Sequence, residues 1–98
     1  MYVNIINSYR NIVAIADKEL VGKKFEENNS QIDVKESFYK GELKTPEEVI
    51  TIMQNFSKED ATFNLIGEKT IKTALEAGII TEDAVGKVEG IKFAIVLL

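Results

Sequence analysis

The sequence predicts an α+β fold: a small mixed or antiparallel sheet of about four strands, with two main helices packed on one face. Three observations carry this. Short β-prone runs lie in the first third of the chain, two segments with helical spacing fall between residues 45 and 78, and the chain closes on the apolar run IKFAIVLL. Strands gathered ahead of helices are the pattern of an α+β layer, not of a doubly wound sheet.

YVNII (Tyr2 to Ile6) alternates, with Val3 and Ile5 on one face, and NIVAIA (Asn11 to Ala16) follows the polar NSYR. Two β-prone runs around a short polar turn predict a hairpin. In ADKELVGKKF, Asp17 is placed to cap a short helical turn that holds Glu19 and Leu20 and ends at Gly22. EENNS reads as a loop, and QIDVK, with Ile32 and Val34 on one side, as a strand. SFYKGELK sets two aromatics before Gly41, read as a turn glycine. TPEEVITIMQNF is the clearest helix. Thr45 takes the N-cap, Pro46 the first helical position, and Glu48 closes a capping box. Val49, Ile52, Met53 and Phe56 form its buried stripe. A second helix is predicted from Asn64 to Ala77, stopped by Gly78, with one more capped turn at Thr81. The closing run predicts a central strand buried on both faces.

The chain has 98 residues, which suits a single domain over 1–98; it is 45% hydrophobic and 29% charged, enough for a packed core. Cysteine and histidine are both absent, which removes disulfides, thiolate and imidazole metal ligation, and the commonest acid/base at neutral pH. No apolar run approaches the ~20 residues of a membrane span, and MYVNIINSYR is not a signal peptide, so a cytoplasmic protein without membrane contact is expected. Net charge is −4, which argues against indiscriminate nucleic-acid binding and against DNA as a partner. The distribution is uneven. Residues 1–45 carry seven Lys/Arg and seven Asp/Glu, whereas residues 46–98 carry five against nine, so any polyanion contact is expected in the first half.

GEKT, ahead of an apolar helical run, resembles the end of a phosphate-binding loop. That loop needs G-x-x-x-x-G-K-[ST], and aligning Lys69 with its lysine puts Phe63 and Glu68 where both glycines belong. The preceding residues read as a loop, not as a strand feeding the motif, so a nucleotide site is rejected. Asn64 as N-cap, Gly67 on the buried face and Glu68 near the positive helix end explain the stretch as a helix start. A glycine inside a helix costs ~1 kcal/mol against alanine, so Gly67 is expected to serve close packing. Lys69, Lys72, Thr73 and Glu76 are expected to face solvent. The basic and aromatic residues of the first half are the second candidate. Arg10, Lys23, Lys24, Tyr39 and Lys40 combine phosphate pairing with base stacking, as RNA contacts require; read as ordinary structure, Tyr39 is a half-buried edge and the lysines plain surface. Four adjacent carboxylate pairs (Glu26–Glu27, Glu47–Glu48, Glu59–Asp60, Glu82–Asp83) do not converge on a helix or strand. With no histidine, no nucleophile–base–orienter set can be assembled in any usual form. Catalysis, a cofactor and a metal are not expected.

MYVNI, DKELVGK, SFYKGEL, TPEEV, NLIGE, ALEAGII and VEGIKFAIVL, in this order and spacing, resemble the archaeal family called "domain of unknown function 424" over nearly the whole chain. The resemblance implies a small cytoplasmic protein, associated with RNA binding or translation and without a known enzymatic activity. The family-like residues are Gly22, Lys23, Phe38, Tyr39, Gly41, Asn64, Gly67 and Glu68. Relatives are expected to follow the last glycine with a Pro-His-Ala-Gln-like segment; here Gly90 leads into IKFAI. The expected function is a non-catalytic module that binds RNA or a ribonucleoprotein through Arg10, Lys23, Lys24, Tyr39 and Lys40. Gly22, Gly41, Asn64, Gly67 and Glu68 are the expected structural motif. The alternative is a protein-interaction adaptor whose acidic second half meets a basic ribosomal protein or translation factor.

Overall fold

The computed structural model describes residues 1–97. In chain order it holds β1 (Tyr2–Ile6), β2 (Ile12–Ala16), a 3₁₀ turn (Lys18–Leu20), β3 (Lys24–Glu27), β4 (Ser30–Asp33), α1 (Glu36–Tyr39), β5 (Glu42–Leu43) and α2 (Pro46–Ser57). Then come β6 (Thr62–Ile66), α3 (Glu68–Ala77), a 3₁₀ turn (Glu82–Ala84), β7 (Gly86–Val88) and β8 (Ile91–Val96). The fold is α+β, with more strands than expected. Six form one mixed sheet in the order β5-β1-β2-β6-β8-β7, and β3 and β4 make a separate hairpin. Among the described residues only β2 and β6 pair in parallel.

The predicted β1–β2 hairpin forms, antiparallel from Tyr2↔Ala16 to Ile6↔Ile12. Strand period two then sorts its side chains between two cores. Val13 and Ile15 of β2 face α2 and α3, together with Phe63 and Leu65 of β6. Ala14 and Ala16 face the opposite way, with Ile66, toward a thin layer made of the first 3₁₀ turn, the β3–β4 hairpin and α1. Both faces of the sheet are therefore partly covered, the two main helices lying together on one. The capping box is present at α2: Glu48 N–H donates to Thr45 Oγ1 (3.3 Å) and Thr45 N–H to Glu48 Oε1 (2.9 Å). That backbone hydrogen bond from Thr45 is the main reason the Glu48 carboxyl sits below its ordinary pKa.

Three sequence expectations are corrected here. Thr62 to Ile66 is a strand, not a loop or helix start, and Asn64 sits in its middle, opposite Ala14 on one side and Ile95 on the other. It caps nothing; α3 begins at Glu68, with Gly67 at the N-cap position. The closing run is not central. β2 and β6 hold the centre, while β8 lies next to the β7 edge, with Ile95 59% and Leu97 77% exposed. Thr73 is buried, not a solvent-face residue, because its hydroxyl donates back to the Lys69 carbonyl (2.8 Å) and needs no water.

Candidate functional site

Asp17 follows β2 and is 3% exposed. It occupies the N-cap position of the first 3₁₀ turn, yet its side chain does not cap that turn. Instead the carboxylate reaches the start of α3. Lys69 N–H donates to Oδ2 (3.0 Å), Thr70 N–H to Oδ1 (2.9 Å), and the Thr70 hydroxyl to Oδ1 (2.8 Å). Gly67 has φ +116°, and a Cβ there would collide with this carboxylate. Its packing role is thus real, but the group that approaches is an acid from β2's end, not a backbone. The Gly67 amide itself is engaged by the Lys92 carbonyl (2.8 Å).

This geometry reframes GEKT. A strand does feed the segment, and a helix does follow, so the strand–turn–helix context of a phosphate loop exists after all. The positive helix end, where a phosphate would sit, is filled by the chain's own carboxylate. Glu68 lies outside it, 72% exposed, accepting an ion pair from Lys92 (3.2 Å). The segment from Phe38 to Gly41 is fastened from β1 instead, where Asn4 Nδ2 donates to the Phe38 carbonyl (2.7 Å). Gly41 does not need an unusual φ. It is required because any Cβ would strike the Val3 carbonyl of β1.

The expected contact residues separate. Lys23, Lys24 and Lys40 are exposed and, among the described residues, form no ion pair. Lys23 and Lys24 open the β3–β4 hairpin, where Val34 N–H donates to the Lys23 carbonyl (2.9 Å) and Gly22 N–H to the Val34 carbonyl (2.7 Å). Those bonds also bring Lys35, which the sequence did not single out, beside them. Arg10 is exposed too, but it lies in the β1–β2 turn, at the opposite end of β2 from the Asp17 side that leads to Lys23. Tyr39 is not a surface stacking residue: it is 7% exposed, packed edge-on to Phe38 (centroids 5.0 Å apart), and burial pushes its hydroxyl up to about 12.

The carboxylate pairs act structurally where they act at all. Glu89 Oε2 accepts from Glu26 N–H and Glu27 Oε1 from Glu89 N–H, each at 2.7 Å, tying the β3–β4 hairpin to the β7–β8 turn. Among the described residues no three acids converge as a metal site. No described helix is long and apolar enough to cross a membrane.

Between β4 and the sheet lies a cavity of about 170 Å³. Tyr39, Asn64, Gln31 and Asp33 supply its polar lining, and Ile66, Phe93 and Ile95 its apolar walls. The alternation Thr62, Asn64 against Phe63, Leu65 was the sequence signal for this wall. Asn64 masks that signal, because its side chain suits a helix cap equally well.

Comparison with known proteins agrees with this architecture. The family model described as "Protein of unknown function (DUF424)" matches residues 6–98. The chain belongs to this family. A crystal structure of an uncharacterized conserved protein from Methanopyrus kandleri superposes with a TM-score of 0.86 at 21% identity, over 97% of this chain and 88% of that one, which shows that the two share a fold. No curated protein matches the sequence.

Proposed function

We propose that this chain is a non-catalytic binding module of archaeal RNA metabolism or translation, with RNA as its ligand. The observation that carries the reading is the hairpin layer. Lys23, Lys24 and Lys40 are exposed there without an ion-pair partner among the described residues, and a partly polar cavity opens beside β4. Cations held in no ion pair are available to release counterions from a phosphate backbone. The likeness to a Methanopyrus protein supports the archaeal setting. Tyr39 leaves the surface contact set in this reading, and Arg10 becomes a peripheral contact at the far end of the sheet.

Filter binding of tRNA, ribosomal RNA and short single strands across a salt series tests the proposal. Lys23→Glu with Lys24→Glu is expected to weaken binding and to reduce the slope of log K against log salt by about two. Absence of binding to every RNA at low salt overturns it. The adaptor reading keeps one observation in its favour: Ile95 and Leu97 are exposed apolar residues on the acidic second half. Partners that survive nuclease treatment in a pull-down would favour it.

A further inference from the structure

Tyr39 is a buried residue whose polar end stays open to solvent. Its hydroxyl has no hydrogen-bond partner among the described residues and keeps a small contact with solvent. Because it is not sealed from water, the phenol is available to a ligand that reaches it. It lines the cavity under β4, where the Asn64 side chain is also without a hydrogen-bond partner among the described residues.

The third polar element is the edge of β4. Val34 N–H bonds back to Lys23, and alternation along an antiparallel pair then turns the backbone groups of Asp33 and Gln31 away from β3. Both residues line the cavity. The site therefore offers an amide side chain, a phenol and an unpaired stretch of main chain, all with mixed donor and acceptor character. Its walls, Phe93 and Ile95 among them, are apolar. At about 170 Å³ it holds roughly five or six waters and lies below the ~300–1,000 Å³ of sites for drug-sized ligands, so it suits one ring system.

We propose that this cavity receives one unstacked base of a single-stranded RNA segment. The base edge would be read by Asn64, Tyr39 and the open edge of β4. Charge placement favours RNA as the source. Lys24 stands directly opposite Asp33 in the hairpin, so a base beside Asp33 brings its phosphates within reach of the Lys23–Lys24 pair. A peptide adding as a strand is the poorer occupant, because a four-residue β4 turns the main chain of only two residues outward. The inference rests on the RNA reading above and assigns the part of the ligand that enters the fold.

The test is a two-dimensional amide NMR titration of the full chain with single-stranded homopolymeric oligonucleotides, free nucleosides and a lysine-rich peptide. Binding constants are then measured for Tyr39→Phe, Asn64→Ala and Asn64→Asp. Oligonucleotides are expected to shift Gln31, Asp33 and Asn64, with free nucleosides reproducing those shifts more weakly. Tyr39→Phe and Asn64→Ala should each weaken oligonucleotide binding about five- to tenfold, with melting curves confirming the fold. Asn64→Asp should change the order of base preference, which a purely structural residue would not do. If oligonucleotides bind but shift only the lysine surface, or if the variants bind like wild type, the cavity inference is overturned and the RNA reading stands. If nucleosides bind and no RNA does, or the peptide alone shifts β4, both fail.

Discussion

Asp17→Ala is the sharpest test of how this fold is held. The carboxylate joins the end of β2 to the start of α3, elements 52 and 53 residues apart along the chain at the bonded positions. Removing it leaves two helix-end N–H groups and the Thr70 hydroxyl without their acceptor. An exposed cap is worth about 0.5–2 kcal/mol, but here the carboxylate and the Thr70 donors are buried, so orphaned donors carry a desolvation cost of about 1–3 kcal/mol each. Partial rehydration once the side chain is gone brings the expected loss to about 3 kcal/mol. Unfolding entropy near ~2.1 cal/mol/K per residue gives about 0.2 kcal/mol/K for this chain, so the melting temperature should fall by about 15 °C. Asp17→Asn keeps one acceptor and should lose about half as much. Glu68→Ala, at the same helix end but exposed, should cost about 0.5 kcal/mol or less. Calorimetry reads the three together, with amide exchange at Lys69 and Thr70 as the local probe. A fall of less than about 5 °C for Asp17→Ala, or equal losses for Asp17 and Glu68, would show that the Asp17 carboxylate does not hold the start of α3.

Gly67→Ala should be far worse than Gly78→Ala. The first puts a Cβ into the Asp17 carboxylate at φ +116°, while the second meets open space at φ +78°. Denaturant midpoints should show about 1 kcal/mol lost at Gly78 and about 4 kcal/mol or failure to fold at Gly67; similar losses would contradict the packing argument. Tyr39 gives a pH prediction. Burial raises its hydroxyl from 10.0 in the unfolded chain to about 12 in the fold. Its contribution is thus complete below pH 10 and is lost as pH rises from 10 to about 12. Across that window wild type should lose stability faster than Tyr39→Phe, and ultraviolet titration should show a late tyrosinate step that the variant lacks. Parallel curves would mean that Tyr39 is solvated.

Local chemistry made some elements legible from sequence alone. Thr45, Pro46 and Glu48 satisfy the helix end they belong to, so the start of α2 needed no partner to be read. The β1–β2 hairpin was equally self-contained, because its two strands lie either side of one polar turn. Family membership was also readable, since it rests on the order of motifs along the chain. The tertiary structure decided what depends on distant partners. β6 became a strand because β2 and β8 flank it, although Asn64 in isolation resembles a cap. Asp17, which by sequence caps the next turn, was drawn to α3, where two amides and a hydroxyl outcompete one local N–H. The same long-range packing buried Tyr39 and moved Arg10 to the far end from Lys23. It also enclosed Asn64 under β4, so the most specific candidate site was built by residues that sequence spacing never placed together.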